Sequence, residues 1–290
     1  MASITVGHLC DLHVMSRIFL LVLLDEFSFD LKSSLVIIAF MMWLQDCNND
    51  KYVIYRLIHI LRIDDAKMFI REVAYFINFL ESSADDPQHL STIYAPIFDN
   101  PLRLVIPIQT LYQNKYTAIS GIKRYLRTTC TRVFSDILAS KLQSACSIQF
   151  IPYQMIRIPG SPYPIFGFIY FKFWPKNHVF STNYDIFSWI HALGYIEDEE
   201  DRTLYLTFSK GEIVSEDEVR SLFTLEFGDC VQRVHMPEIR HRQQTLFARV
   251  SMKYVETIDI ILKGKSLIKF KIRGGKHVWA KKYRYRNFKK

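Results

Sequence analysis

Hydrophobic and polar residues alternate with a period of two in several segments of the last third of the chain, which is typical of strands. These segments are 203–208, 231–236, 246–250 and 277–281, with Phe270–Ile272 and a Gly274-Gly275 turn before the last one. A capping box at Ser215 and Glu218 predicts a helix that ends at Gly228, and helical spacing over 255–262 predicts a second helix. The order strand, helix, strand, strand, helix, strand predicts the split βαβ, ferredoxin-like arrangement within residues 202–283, which is the size of one small domain.

Hydrophobic positions repeat with helical spacing from residue 12 to about residue 145. The predicted helices are 31–44, 52–61, 66–80 and, over 110–142, either one more helix or two that divide near Gly121. The helix over 31–44 is apolar nearly all round, which predicts a central position. We expect one compact bundle-like domain whose buried side chains include Ile37, Phe40, Met41, Phe69, Val73, Phe76 and Leu80.

The segment 146–201 differs from both of its neighbours, because prolines interrupt a run of aromatic residues. Prolines limit regular structure, although 165–173 is a candidate strand, and so many aromatic side chains should pack on a domain. The segment ends in an acidic run, 197–201, which we expect to be a solvated hinge. The sequence therefore predicts an α+β chain in three parts: an all-α domain over 1–145, a proline- and aromatic-rich connector with an acidic hinge over 146–201, and a βαββαβ domain with a basic tail over 202–290.

Positive charge is concentrated at the C-terminal end of the chain. The formal net charge is +8, yet residues 263–290 contain 12 Lys or Arg and no Asp or Glu, which leaves 25 basic against 29 acidic residues elsewhere. Such localised charge suits a polyanion such as nucleic acid, and it also suits a solubilising tail or an import signal. The five cysteines are scattered and form no CxxC pair, so we expect free thiols in a reducing compartment.

Two apolar runs near the N-terminus, 18–24 and 35–44, are shorter than the roughly 20 residues that a membrane-spanning helix needs. Asp25 and Glu26 stand where a signal peptide would carry the small residues of its cleavage site. We therefore expect an intracellular protein without membrane association. It is expected in the nucleus or the cytoplasm, with the nucleus preferred.

Two of the predicted strands resemble the sequence signatures of the RNA recognition motif, a module whose sheet aromatics stack on bases. Residues 204–209 resemble the six-residue signature of the first strand, with Tyr205 in the stacking position. Residues 245–252 resemble the eight-residue signature of the third strand in part. Phe247 keeps the first aromatic position, and Arg249 replaces the second aromatic residue. The resemblance implies RNA binding on this face of the sheet.

The whole layout resembles a family of plant RNA-binding proteins that combine a helical N-terminal region with one divergent C-terminal RNA recognition motif. The matching segments are 39–44, 117–121, the Pro-Gly-Ser-Pro-Tyr-Pro stretch at 159–164, and 278–283. The resemblance covers most of the chain after about residue 15. Its motifs specify the family better than they specify a biochemical activity, and the recognition motif in that family implies RNA binding.

The sequence lacks the motifs of common enzyme classes: it has no GxSxG elbow, phosphate-binding glycine loop, dinucleotide fingerprint or zinc-ligand spacing. We therefore expect no catalysis, no metal, no cofactor and no small-molecule substrate. The expected ligand is single-stranded RNA, bound by stacking and by charge. The candidate RNA-binding residues lie on the predicted strands and in the tail: Tyr205, Phe247, Arg249, Trp279, Lys281, Tyr283, Arg284 and Arg286.

The alternative function is a protein-interaction or scaffold module whose sheet face is covered. Recognition-motif folds also bind proteins through this sheet, and the aromatic connector is a candidate to cover it. A protein partner is expected for the helical domain as well. The two hypotheses differ in whether the face that carries Tyr205 and Phe247 is open to solvent.

Overall fold

The computed structural model describes residues 5–59, 63–81, 108–146, 151–160, 163–175, 177–179, 198–211, 213–237, 245–272 and 274–284. Within them the protein is mixed helix and sheet, as the predicted α+β class requires.

Internal contacts separate the chain into two compact units. The first takes in the described residues up to 81, Ile108 and those from 121 to 179, and the second takes in 109–120 and the described residues from 198 onward. The three-part division made from the sequence stays a prediction. The contacts differ from it in two respects, since 109–120 belong with the C-terminal residues and the described part of the connector belongs with the helices.

The N-terminal half of the chain is helical. Its helices are α1 Val6–Leu12, α2 Val14–Leu21, α3 Leu31–Cys47, α4 Val53–His59, α5 Ile63–Glu81, α6 Ile108–Gln113, α7 Lys115–Tyr125, α8 Thr131–Val133 and α9 Ser135–Cys146, with π-helical turns at Val22–Glu26 and Leu126–Cys130. The helix predicted over 52–61 corresponds to α4, and residues 60–62 lie outside the described residues.

Helix α3 is central to the first unit, as its apolar sequence predicts. It begins after Asp30, whose carboxylate accepts hydrogen bonds of 3.0 Å from the backbone N–H groups of Lys32 and Ser33. Every side chain from Lys32 to Leu44 is buried. All seven core residues predicted for the helical region are buried, from Ile37 in α3 to Leu80 in α5, which confirms that prediction.

Gly121 lies inside α7, so of the two alternatives left open by the sequence, a division near this glycine is not found. The indole ring of Trp43 packs directly on this glycine, and a Cβ at position 121 would overlap the ring. The glycine therefore permits a close approach of two helices, and the backbone stays helical through it.

The described part of the connector forms a hairpin of two short antiparallel strands, β1 Met155–Arg157 and β2 Tyr170–Lys172. The strand predicted over 165–173 corresponds to β2, which is shorter and spans only Tyr170–Lys172. A 3₁₀ turn occupies Pro164–Phe166, and Gly167 follows it at φ +68°. Proline fixes φ and lacks an N–H donor, so strand pairing begins only after this turn.

A 3₁₀ turn at Glu199–Arg202 precedes the sheet of the second unit. It coincides with the acidic run that the sequence predicts to be a solvated hinge. Asp201 is nevertheless buried, so the run is only partly solvated.

The second unit contains an antiparallel sheet of five strands: β3 Thr203–Phe208, β4 Val231–His235, β5 Phe247–Met252, β6 Leu267–Lys271 and β7 His277–Lys282. Their order across the sheet is β4-β5-β3-β7-β6. β3 and β5 correspond to the first and third predicted strands and pair with each other, but the sheet has five strands where four were predicted. The additional strand is β6, which pairs with β7 across the Gly274-Gly275 turn.

Two helices, α10 Glu216–Phe227 and α11 Glu256–Leu262, pack their apolar side chains against one face of this sheet. The Ser215 hydroxyl accepts the N–H of Glu218, and the Glu218 carboxylate accepts the N–H of Ser215, which confirms the predicted capping box. Helix α10 ends at Gly228, whose φ of +78° favours glycine.

Within the second unit, a buried carboxylate holds the first residues of α7. Asp259 of α11 accepts hydrogen bonds from the N–H of Tyr116 at 3.0 Å, the N–H of Thr117 at 2.8 Å and the hydroxyl of Thr117 at 2.6 Å. These N–H groups lie in the first turn of α7, so Asp259 caps a helix far away in sequence. Burial raises the pKa of Asp259 to about 6, although its hydrogen bonds act to lower it. The Tyr112 hydroxyl also donates to the carbonyl of Gly264 at 2.6 Å.

Among the described residues, no single helix is both long enough and apolar enough to cross a membrane. The helical segments Val6–Leu12 and Val14–Glu26, bent by 77°, meet that requirement of length and composition only as a pair.

Candidate nucleic-acid interface

Alternation along the strands gives the five-stranded sheet two faces of opposite character. In β3, Leu204, Leu206 and Phe208 are buried against α10 and α11, whereas Tyr205 and Thr207 lie on the other side. The strand registers place further residues on that second side, which we call the outer sheet face: Tyr205, Thr207, Phe247, Arg249, Trp279 and Lys281, with Lys269 beside them. No Asp or Glu occurs in any of the five strands.

Tyr205 and Phe247 stack on each other on the outer sheet face. Their ring centroids are 5.6 Å apart and their planes differ by 20°. Thr207 is the register partner of Phe247, so the two rings occupy diagonal positions on neighbouring strands. Phe247 is 38% exposed and Tyr205 is half-buried. The prediction that both rings share one face is confirmed, and together they offer an apolar platform to solvent.

Two cations lie on either side of Tyr205. Arg249 in β5 and Lys281 in β7 are both its register partners. Lys281 Nζ lies 5.5 Å from the centroid of the Tyr205 ring, and Arg249 Cζ lies 5.7 Å from that of Tyr283. At such distances a cation is attracted to the ring face. Aromatic and positive groups therefore alternate across the central strands.

A third aromatic residue, Trp279, lies on the outer sheet face across Thr207 from Phe247. Because neighbouring strands are about 4.8 Å apart, Trp279 and Phe247 are separated by about 10 Å at their backbones. Lys269 Nζ lies 5.3 Å from the Trp279 ring centroid. Lys269 is missing from the residues predicted from sequence, because the strand-like segment noted there begins only at Phe270 and was not counted as a separate strand. The available signal was its alternation with the buried Phe270.

The predicted tail residues are described only in part. Tyr283 is half-buried, and its N–H donates to the Thr203 carbonyl at 3.0 Å, which continues the pairing of β7 with β3. Arg284 is exposed. Arg286 lies outside the described residues. Of the eight predicted binding residues, five thus come together on the outer sheet face, and Tyr283 adjoins them through Arg249.

Acidic side chains adjoin the sheet at the end where β3 begins. The Glu199 carboxylate accepts a hydrogen bond of 2.8 Å from the Ser251 hydroxyl there. Within the part of the chain that the structure describes, no group of three or more His, Cys, Asp or Glu side chains is arranged to hold a metal ion. The chemistry of the outer sheet face is aromatic and cationic, which suits a ligand that combines planar rings with negative charge.

Comparisons of the chain with protein-family models, with curated proteins and with solved structures found no match. The function proposed below therefore rests on the residues and geometry of the outer sheet face.

Proposed function

We propose that the second unit is a divergent RNA recognition motif of ferredoxin-like topology, and that the protein binds single-stranded RNA without catalysing a reaction. The order β3-α10-β4-β5-α11-β7, with β3 and β5 adjacent at the centre, supports this assignment because it is the order of a split βαβ fold. Strand β6 is then an addition at the edge of the sheet beside β7.

The observation that carries the proposal is the stack of Tyr205 on Phe247, with Arg249 and Lys281 on either side of Tyr205. The strands that carry these residues have no carboxylate. Stacking of a base on such a ring contributes about 1–3 kcal/mol and tolerates any base. The neighbouring cations attract phosphates. The ligand is single-stranded because the bases of a duplex are paired and stacked inside it and cannot reach the rings.

Arg249 occupies the position at which the resemblance implies a second aromatic residue. Its guanidinium is planar and permanently charged, so it stacks on a base or contacts a phosphate. The outer sheet face therefore carries a charged group where the resemblance implies an apolar stacking group. We expect RNA affinity to depend more steeply on salt than it would with an aromatic residue at this position.

The test is to measure the affinity of the full chain for single-stranded RNA oligonucleotides at two salt concentrations, together with the melting temperature. Tyr205→Ala and Phe247→Ala should each weaken binding by about 5- to 150-fold, the equivalent of one stacked base. Tyr254→Ala is the matched control, because this tyrosine is exposed and lies outside the strands. It should leave the affinity unchanged.

Charge is tested separately from stacking. Arg249→Ala and Lys281→Ala should each lower the slope of log affinity against log salt by about 0.7, the value for one phosphate contact on a single strand. Removal of residues 284–290 should lower it further, because that stretch holds Arg284, Arg286, Lys289 and Lys290.

One result would reject the RNA platform. If Tyr205→Ala and Phe247→Ala lower the melting temperature and leave RNA affinity unchanged, the two rings serve packing or protein contact. That outcome favours the protein-interaction module over the RNA-binding function.

A further inference from the structure

A second exposed aromatic face lies outside the five-stranded sheet, on the hairpin of the first unit. Met155 pairs with Lys172 and Arg157 pairs with Tyr170, and these four side chains point away from the helices. The pair between them, Ile156 and Phe171, points the other way, and Phe171 is fully buried. The alternation of β1 and β2 thus separates an inner from an outer side.

The inner side anchors the hairpin firmly. Ile158, Phe166, Ile169 and Phe171 are all at most 4% exposed, so they belong to the core of the first unit. At the end of the hairpin, Gly160 passes so close to Asp30 that a Cβ there would overlap the carboxylate. The orientation of the outer side is therefore fixed by packing.

The outer side, which we call the hairpin face, continues beyond the strands at two-residue intervals. It comprises Met155, Arg157, Tyr170 and Lys172, flanked by Tyr153, Phe168 and Trp174. Phe168 is 63% exposed and Tyr170 is 48% exposed. Several exposed aromatic side chains that lie side by side form a contiguous patch, which marks an interaction surface.

Both cations of the hairpin face lie against aromatic rings. Arg157 Cζ is 3.8 Å from the centroid of Phe168. Lys172 Nζ is 4.9 Å from the Trp174 centroid and 5.5 Å from that of Tyr153. A guanidinium or ammonium group held on a ring keeps N–H donors for an anion. From residue 151 to 180 the sequence has no Asp or Glu, so the charge of this face is positive.

We propose that the hairpin face is a second binding site for single-stranded nucleic acid. Phe168 and Tyr170 are the stacking residues, and Arg157 and Lys172 contact phosphates. Residues two apart along a strand are separated by about 6.7 Å, so a single strand can place successive splayed bases on successive rings. Positive charge without any acidic residue favours a polyanion over a protein surface of mixed charge.

This site uses none of the residues of the outer sheet face, so it is correct or wrong independently of the function proposed above. The experiment uses the full chain and an oligouridine RNA that carries photoreactive 4-thiouridine, and crosslinked peptides are mapped by mass spectrometry. Peptides covering 163–175 should crosslink in the unaltered chain and also in a Tyr205→Ala/Phe247→Ala chain.

The RNA affinity of the Tyr205→Ala/Phe247→Ala chain measures binding by the hairpin face without the stacking residues of the outer sheet face. Adding Phe168→Ala or Tyr170→Ala should weaken the remaining binding by about 5- to 150-fold each. Tyr52→Ala is the control, because Tyr52 is an exposed tyrosine of the first unit that lies outside the hairpin. Lys172→Ala keeps the Phe168 and Tyr170 rings and should lower the salt slope by about 0.7.

The outcomes separate the two proposals. Crosslinks at Tyr205 or Phe247 without any in 163–175, together with unchanged affinity in the hairpin variants, would overturn the second site and leave the sheet function intact. Crosslinks confined to 163–175 would support the second site and reject the sheet platform. A hairpin variant that loses a protein partner but keeps its RNA affinity would also overturn the inference.

Discussion

Replacing Asp259 tests the contact that holds the start of α7 against α11 within the second unit. Asp259→Ala removes the acceptor for the N–H groups of Tyr116 and Thr117 and for the Thr117 hydroxyl. Each buried donor left without a partner costs about 1–3 kcal/mol. Removing a buried charge recovers part of this, because a pKa raised from about 4 to about 6 corresponds to about 3 kcal/mol. The three donors together cost about 3–9 kcal/mol, so we expect a net loss on the order of 3 kcal/mol in the free energy of unfolding of the second unit.

Asp259→Asn separates the charge from the hydrogen bonds, because the amide keeps one acceptor oxygen and cannot ionise. Between pH 4 and about pH 6 the folded chain holds a proton on Asp259 that the unfolded chain has released. The contribution of Asp259 to stability therefore falls as the pH rises through this window and is constant above it. The Asn variant lacks this decline, so relative to the unaltered chain it should gain up to about 3 kcal/mol between pH 4 and pH 7.

Hydrogen exchange read by mass spectrometry is the suitable assay, because it reports on 109–120 separately from the rest of the chain. Asp259→Ala should increase exchange in that segment. Asp229→Ala is the matched control, since this carboxylate is 82% exposed in its ion pair with Lys253 and should contribute less than about 1 kcal/mol. Unchanged exchange in 109–120 after Asp259→Ala, or an Asn variant with the same pH dependence as the unaltered chain, would refute the reasoning.

Three further substitutions test other contacts. Ser215→Ala should lower the free energy of unfolding by about 1 kcal/mol through loss of its cap, whereas Ser221→Ala, on the exposed side of the same helix, should change it by less than about 0.5 kcal/mol in urea denaturation. Gly121→Ala should cost about 1–3 kcal/mol by overlap with the Trp43 indole, and Trp43→Phe in the same chain should restore part of the melting temperature; a melting temperature unaffected by Gly121→Ala would contradict the packing. Burial raises the pKa of Glu72 to about 7, so stability should fall as the pH rises from about 4.5 to 7, and Glu72→Gln should remove that fall when urea denaturation is compared at pH 5 and pH 8.

Local signals in the sequence predict most of the elements, because the interactions that form them are local. The hydroxyl of Ser215 and the carboxylate of Glu218 cap a helix three residues apart, and that helix is found where the pair indicates. Strict alternation likewise places Tyr205 on the side of β3 opposite to Leu204 and Leu206. The common face of Tyr205 and Phe247 then follows from pairing the first strand with the third.

Interactions between distant residues leave no such signal. The pairing of Thr117 with Asp259 spans 142 residues, and neither residue stands out in its own segment. The assignment of 109–120 to the second unit was therefore missed. Strand β6 was recognised only in part, as Phe270–Ile272, and was not counted as a separate strand. Leu267–Lys271 is a short edge strand that gains its regular structure by pairing with β7. The hairpin face could not be predicted either. The alternation of residues in β2 separates its two sides but does not indicate which side packs on the helices.

The second unit is discontinuous in sequence, and this has a consequence for its synthesis on the ribosome. Tyr116 emerges 143 residues ahead of Asp259. Translation proceeds at about 5–20 residues per second, so about 7 to 30 seconds pass between the synthesis of the first turn of α7 and that of the side chain that caps it. Chains that terminate before α11 lack the carboxylate that accepts from the N–H groups of Tyr116 and Thr117 in the complete chain. The second unit can therefore complete its fold only after residue 259 has been translated. Products that end before this residue should be preferred targets of proteolysis.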